Sequence, residues 1–106
     1  MKIPFEKTFV YEDYSLDELD LDLDGKMTAR LQEAIDAEFR RKAKGEIIPF
    51  PYLDSRYRLI AASKITGIPK EVLTEIPYQQ YNVMHNAILL FFMNSQEPST
   101  DTPESD

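Results

Sequence analysis

The stretch Arg58-Leu59-Ile60-Ala61-Ala62-Ser63-Lys64-Ile65-Thr66-Gly67-Ile68-Pro69, followed by Val72-Leu73, Ile76-Pro77 and a run closing on Ala87-Ile88-Leu89-Leu90-Phe91-Phe92, reads as three helices joined by tight Gly-Pro and Pro turns. Gly67 ends the first, because helices commonly close on a left-handed residue and glycine adopts that conformation without steric penalty. Pro69 opens a short second helix ending near Ile76, since a first helical turn has no use for the N–H that proline lacks. Pro77 starts the third, expected from Tyr78 to about Asn94.

That last helix carries more apolar surface than a small chain easily hides. Tyr81, Met84, Ile88, Leu89 and Phe92 form one stripe, and Val83, Ala87, Leu90 and Phe91 cover another, so its C-terminal half is apolar nearly all round. Such a helix is either central in a bundle or shared with a partner. A partner is favoured, because exposed apolar patches mark interaction sites and aromatic side chains anchor binding surfaces. The candidate partner-binding residues are Tyr81, Met84, Ile88, Leu89, Leu90, Phe91 and Phe92.

Working back toward the N-terminus, Asp54 or Ser55 caps the helix that ends at Gly67, and residues 46–53, with Pro49 and Pro51 two apart, form an extended connection. Leu31, Ala34, Ile35, Glu38, Phe39 and Lys42 fall on a spacing of three and four, with Thr28 to cap the start and Gly45 to end a further helix in a left-handed turn. Before it, Leu19, Leu21 and Leu23 alternate with Asp20, Asp22 and Asp24, the period of a half-buried strand. Residues 3–10 and 16–23 are expected to pair as a hairpin turning at Glu12-Asp13-Tyr14-Ser15, its leucine face packed on helices. The fold class expected is mainly α: a small helical bundle of about four helices with a short N-terminal β-hairpin over 3–23, in one domain covering 1–95. From Gln96 on no hydrophobic residue occurs, so residues 96–106 are expected to form a flexible acidic tail.

The chain of 106 residues fits one domain. Its net charge of −7 is unevenly laid out: residues 1–25 hold eight acids against two bases, 26–70 ten bases against five acids, and 71–106 six acids and no base. Nucleic acid is disfavoured as a main partner, since phosphate binding wants a dominant basic face. A partner with a basic surface, or another copy docking opposite ends, fits better. No cysteine is present, which excludes disulfides and thiolate metal sites. The longest unbroken apolar stretch, Ala87 to Met93, is far below the roughly 20 residues of a membrane span, and the start lacks a signal peptide's apolar core, so a soluble intracellular protein is expected.

Little in the chain suggests catalysis. Asp20-Leu21-Asp22-Leu23-Asp24-Gly25 matches the opening of a calcium loop, but Leu31 stands where the loop needs a bidentate glutamate, and an amphipathic strand with a solvated acidic face explains the acids. His85, the only histidine, has no second imidazole or thiol to help it hold zinc and lies in helical register with Tyr81 and Leu89, a packing position. No Ser/His/Asp set and no glycine-rich phosphate loop occurs, so neither enzymatic activity nor a cofactor or metal is expected. The unit around Gly67 loosely matches a helix-turn-helix, yet its second helix would turn Glu71 and Glu75 toward phosphates. Arg40-Arg41-Lys42-Ala43-Lys44 is a basic cluster that a solvated helix end also explains, its cations complementing the helix dipole.

Taken in order, Leu-Asp-Leu-Asp-Leu-Asp-Gly at 19–25 leading into Leu31-Gln32-Glu33-Ala34-Ile35, Tyr57-Arg58-Leu59-Ile60-Ala61-Ala62 with Gly67-Ile68-Pro69, then Val72-Leu73, Ile76-Pro77 and a helix ending Phe91-Phe92, resemble the phage tail assembly chaperones over residues 8–93. One departure is Tyr78-Gln79-Gln80-Tyr81, where the family would place an acidic residue. The resemblance implies a small helical protein of the infected bacterium's cytoplasm, left out of the mature virion. It implies binding to the long tape measure protein, self-association into a homo-oligomer, and recruitment of the tail tube protein by a frameshifted longer form. The alternatives are a small phage DNA-binding regulator built on the helix-turn-helix-like unit and a structural head or tail connector subunit.

Overall fold

A computed structural model describes residues 1–96. The chain runs β1 (Lys2–Tyr11), β2 (Tyr14–Asp20), α1 (Leu23–Lys26), α2 (Ala29–Lys42), a 3-10 turn (Pro51–Leu53), α3 (Ser55–Thr66), α4 (Lys70–Leu73) and α5 (Tyr78–Gln96). Of the acidic tail expected over 96–106, only Gln96 falls within this range, as the last residue of α5; the rest lies outside the described residues.

The expected class, a mainly α bundle of about four helices with a hairpin appended, is corrected to a small α+β domain, 58% helix and 18% strand with five α-helices among the described residues. Two of those helices, α1 and α4, are single turns, so α2, α3 and α5 alone have the length to pack as helices. The hairpin replaces the missing bundle member: Ile3, Leu19 and Leu21 lie in the same buried cluster as the helices, and β1 packs on α5.

β1 and β2 pair antiparallel, with Ile3 opposite Leu19 and Tyr11 opposite Tyr14. The turn is therefore the two residues Glu12 and Asp13, tighter than the sequence suggests, and Glu12 carries the left-handed φ of 52° that matches the twist of paired strands. The register slips between Pro4 and Phe9, so β1 carries extra residues there. Beyond the slip the hairpin is supported by aromatic stacking, Phe5 on Phe9 at 5.6 Å and Phe9 on Tyr11 at 6.5 Å. β2 ends at Asp20 instead of running to residue 23. Leu21 and Leu23 are still buried, but as the link into α1 and its first residue.

α3 is the central helix. It buries Tyr57, Ile60, Ala61, Ala62 and Ile65, and packs against α2, α4, α5 and the 3-10 turn. Asp54 caps its start by accepting from the Arg56 N–H at 2.9 Å, and Gly67, at φ 77°, closes it by donating to the Ser63 carbonyl at 2.9 Å. Thr28 caps α2 by accepting from the Leu31 N–H at 3.1 Å. From α2, Ile35 and Phe39 enter the core, and the Phe39 ring meets Tyr57 edge-on at 5.4 Å. Glu38 ties three helices together through Lys64 of α3 at 3.3 Å and Lys70 of α4. In the connection read as extended, Pro51–Leu53 instead tighten into the 3-10 turn, which seats Tyr52 against Phe92 of α5 at 6.2 Å between ring centres.

Candidate interaction surface

α5 is the longest helix and carries no Asp, Glu, Lys or Arg, so hydrophobic spacing and docking alone decide which face goes inward. Gln80, Met84, Ile88 and Phe92, each four residues after the last, are buried. Gln80 Nε2 donates to the Pro4 carbonyl at 3.3 Å and so fastens β1 to the helix start. Phe92 meets Tyr57 of α3 at 5.5 Å between ring centres.

The candidate residues are accordingly divided. Met84, Ile88 and Phe92 belong to the core; Tyr81, Leu89 and Phe91 are half-buried; only Leu90 is exposed. Two residues not among the candidates join it, giving an exposed stripe of Val83 (39%), Leu90 (56%) and Met93 (44%). Spacings of seven and three place 83, 90 and 93 along one flank of the helix, offset from the buried 80, 84, 88 and 92.

Beside that flank lies a groove of about 650 Å³. Leu21 and Leu23 line one side, Val83, Ala87, Leu90 and Phe91 the other, with Met1 also in the lining. Asp22 and Asp24 edge the first side, and Asn86 and Asn94 the helix. Sequence reasoning placed the leucines on a hairpin face and missed this wall. The available signal was the alternation itself, which continues past the end of the strand and so keeps each leucine inward and each aspartate outward.

The other candidates have structural employment. The Asp22 carboxylate accepts from the Gly25 N–H at 3.0 Å as the cap of α1. Gly25 leaves room for that cap, since a methyl group there would stand 2.4 Å from Asp22 Oδ2. Among the described residues no three His, Asp or Glu side chains cluster as metal ligands. His85 is buried beside Tyr81, the ring centres 4.4 Å apart, and its Nδ1 accepts from Arg58 Nε at 3.1 Å. The proton is therefore on Nε2, which has no hydrogen-bond partner among the described residues. Burial, then the Arg58 charge, pushes its pKa down to about 4, so the imidazole is neutral at physiological pH. In the helix-turn-helix-like unit the second helix, expected to reach Ile76, is the single turn Lys70–Leu73, and its Val72 and Leu73 are buried in the core.

Among the described residues no helix is long and apolar enough to cross a membrane. No protein-family model, curated protein or solved structure matches the chain.

Proposed function

We propose that this protein is a non-enzymatic assembly chaperone that covers apolar helical surface on a client, and that the client is the tape measure protein of a long-tailed phage. The observation that carries the proposal is the uncovered flank of α5, where Val83, Leu90 and Met93 stand beside an apolar groove on a helix without a formal charge. Apolar surface of this kind is retained where a partner covers it. The resemblance in the order of sequence features to the tail assembly chaperones supports this choice of client, and the net charge of −7 favours solubility of a complex with an apolar helix. On this reading the protein acts in the cytoplasm of the infected host or of a lysogen, forms homo-oligomers and is left out of the virion, with the tail tube protein as a further candidate partner.

Co-expression with the tape measure protein of the same phage is the direct test. The tape measure protein is expected in the soluble fraction only when this chain is present, and to elute with it from a sizing column. An unchanged soluble fraction, or recovery of this protein in purified virions, would count against the chaperone role, the second result pointing to a connector subunit.

A further inference from the structure

The basic end of α2 carries Arg40, Arg41, Lys42 and, just beyond it, Lys44, all exposed and none in an ion pair with a described residue. The acids on either side of them in sequence have other partners. Asp36 accepts from the Tyr57 hydroxyl at 2.7 Å, Glu38 is held by Lys64 and Lys70, and Glu46 is held by Arg56 at 2.9 Å. The helix end itself offers only about half an elementary charge to these cations. Residues 97–106 hold Glu97, Asp101, Glu104 and Asp106 and no base, and they follow on from the same end of the molecule. Gln96 stands about 6 Å along the helix from Phe92, whose ring lies 5.5 Å from Tyr57, and Tyr57 in turn lies 5.4 Å from Phe39, the residue before Arg40. Phe92 also stacks on Tyr52, and Arg40 lines the same cleft as the neighbouring Pro51. Ten residues can reach up to about 33 Å, well beyond what these contacts span.

We propose that the acidic segment 97–106 is the counter-ion of this basic end, its carboxylates set against Arg40, Arg41 and Lys44 of the same chain. Opposite charge favours the pairing, and joining the two in one chain favours it over any separate partner. A tethered segment presents its charges at an effective concentration on the order of millimolar, which a free anion or a second copy at micromolar levels does not match. The contact is exposed, screened by salt and tied to no single pair of side chains. Its consequence is to withhold the end of α2 from nucleic acid and other polyanions. It involves no apolar surface, so it stands apart from the client proposed above.

The chain has no cysteine, so Thr102→Cys gives a single attachment point for a nitroxide spin label within the segment. At low salt the amide signals of residues 40–44 should weaken about twofold or more against the reduced label, and they should recover in about 0.5 M salt, where the screening length is about 4 Å. The full chain carrying Arg40→Glu, Arg41→Glu and Lys44→Glu should lose the effect. So should the chain carrying Glu97→Gln, Asp101→Asn, Glu104→Gln and Asp106→Asn, with the label kept at position 102. Circular dichroism checks that each variant is folded. Unweakened signals over 40–44 at low salt overturn the proposal. Weakening that survives both salt and charge reversal does so too, since tethering alone would then explain it. A mixture of spin-labelled chain with isotope-labelled chain that bears no spin label separates the two sources of acid: weakening of equal size there would make a second copy the counter-ion and overturn the assignment to residues 97–106 of the same chain.

Discussion

His85 sits buried between Tyr81 and Arg58, and its imidazole stays neutral first because burial strips water from the charged form and then because charging it would place a second cation beside the guanidinium. Folding thereby lowers its pKa from 6.5 to about 4, so as pH falls the unfolded chain takes up the proton first and the folded state loses stability through that interval. The loss runs at about 1.4 kcal/mol per pH unit, or roughly 2 kcal/mol between pH 6.5 and 5. Glu38 works in the opposite sense. Its carboxyl is held below the ordinary 4.5 first by the hydrogen bond from Lys70, so its contribution is complete above that pH and falls away only below it. The two windows separate, and urea midpoints measured from pH 7 to pH 5 should decline in the parent chain and stay nearly level in His85→Gln. A level parent curve would mean that the ring is not buried as described.

At the scale of the element, α5 presents two adjacent stripes with different duties. Met84→Ala, in the buried stripe, should cost about 2 to 5 kcal/mol in denaturant unfolding. Leu90→Ala, in the exposed one, should stay within about 0.5 kcal/mol while weakening client binding. Equal destabilisation by the two would contradict the orientation of the helix. Serine at both Phe91 and Phe92 would confuse these effects, because Phe92 is a core residue touching Tyr57 and Tyr52. The division could not be read from the sequence, since a helix apolar around most of its circumference has no periodicity to say which side docks. Its limits were legible, as were α2 and α3, because Thr28, Asp54, Gly67 and Pro77 are local signals acting on their own backbone. The strand that ends at Asp20 shows where local reasoning stops. Leu21 and Leu23 keep the in-and-out rhythm while the backbone has already turned into α1, and a period of two reports which side chains are buried, not which conformation buries them. The lengths of α1 and α4 were hidden for a related reason, since how far a short helix runs depends on the packing of its neighbours.

For the molecule as a whole, the hairpin and α5 are one unit made from opposite ends of the sequence. β1 packs on α5, the Gln80 amide reaches the Pro4 carbonyl across 76 positions, and Leu21 and Leu23 share a groove with Val83 and Leu90. A two-stranded hairpin is marginal without a surface to lie on. A chain stopped after Pro77 should therefore lose the hairpin as well as α5, while retaining helical signal from α2 and α3. Amide exchange would show it: protection of β1 and β2 in the shortened chain would mean that the hairpin stands by itself. Synthesis gives the same dependence a duration. At about 5 to 20 residues per second, Pro4 waits on the order of 4 to 15 s for Gln80 to be made. Until then β1 lacks the helix it packs on, so the nascent hairpin is, for those seconds, short of a cover in the same way as the client proposed for the finished protein.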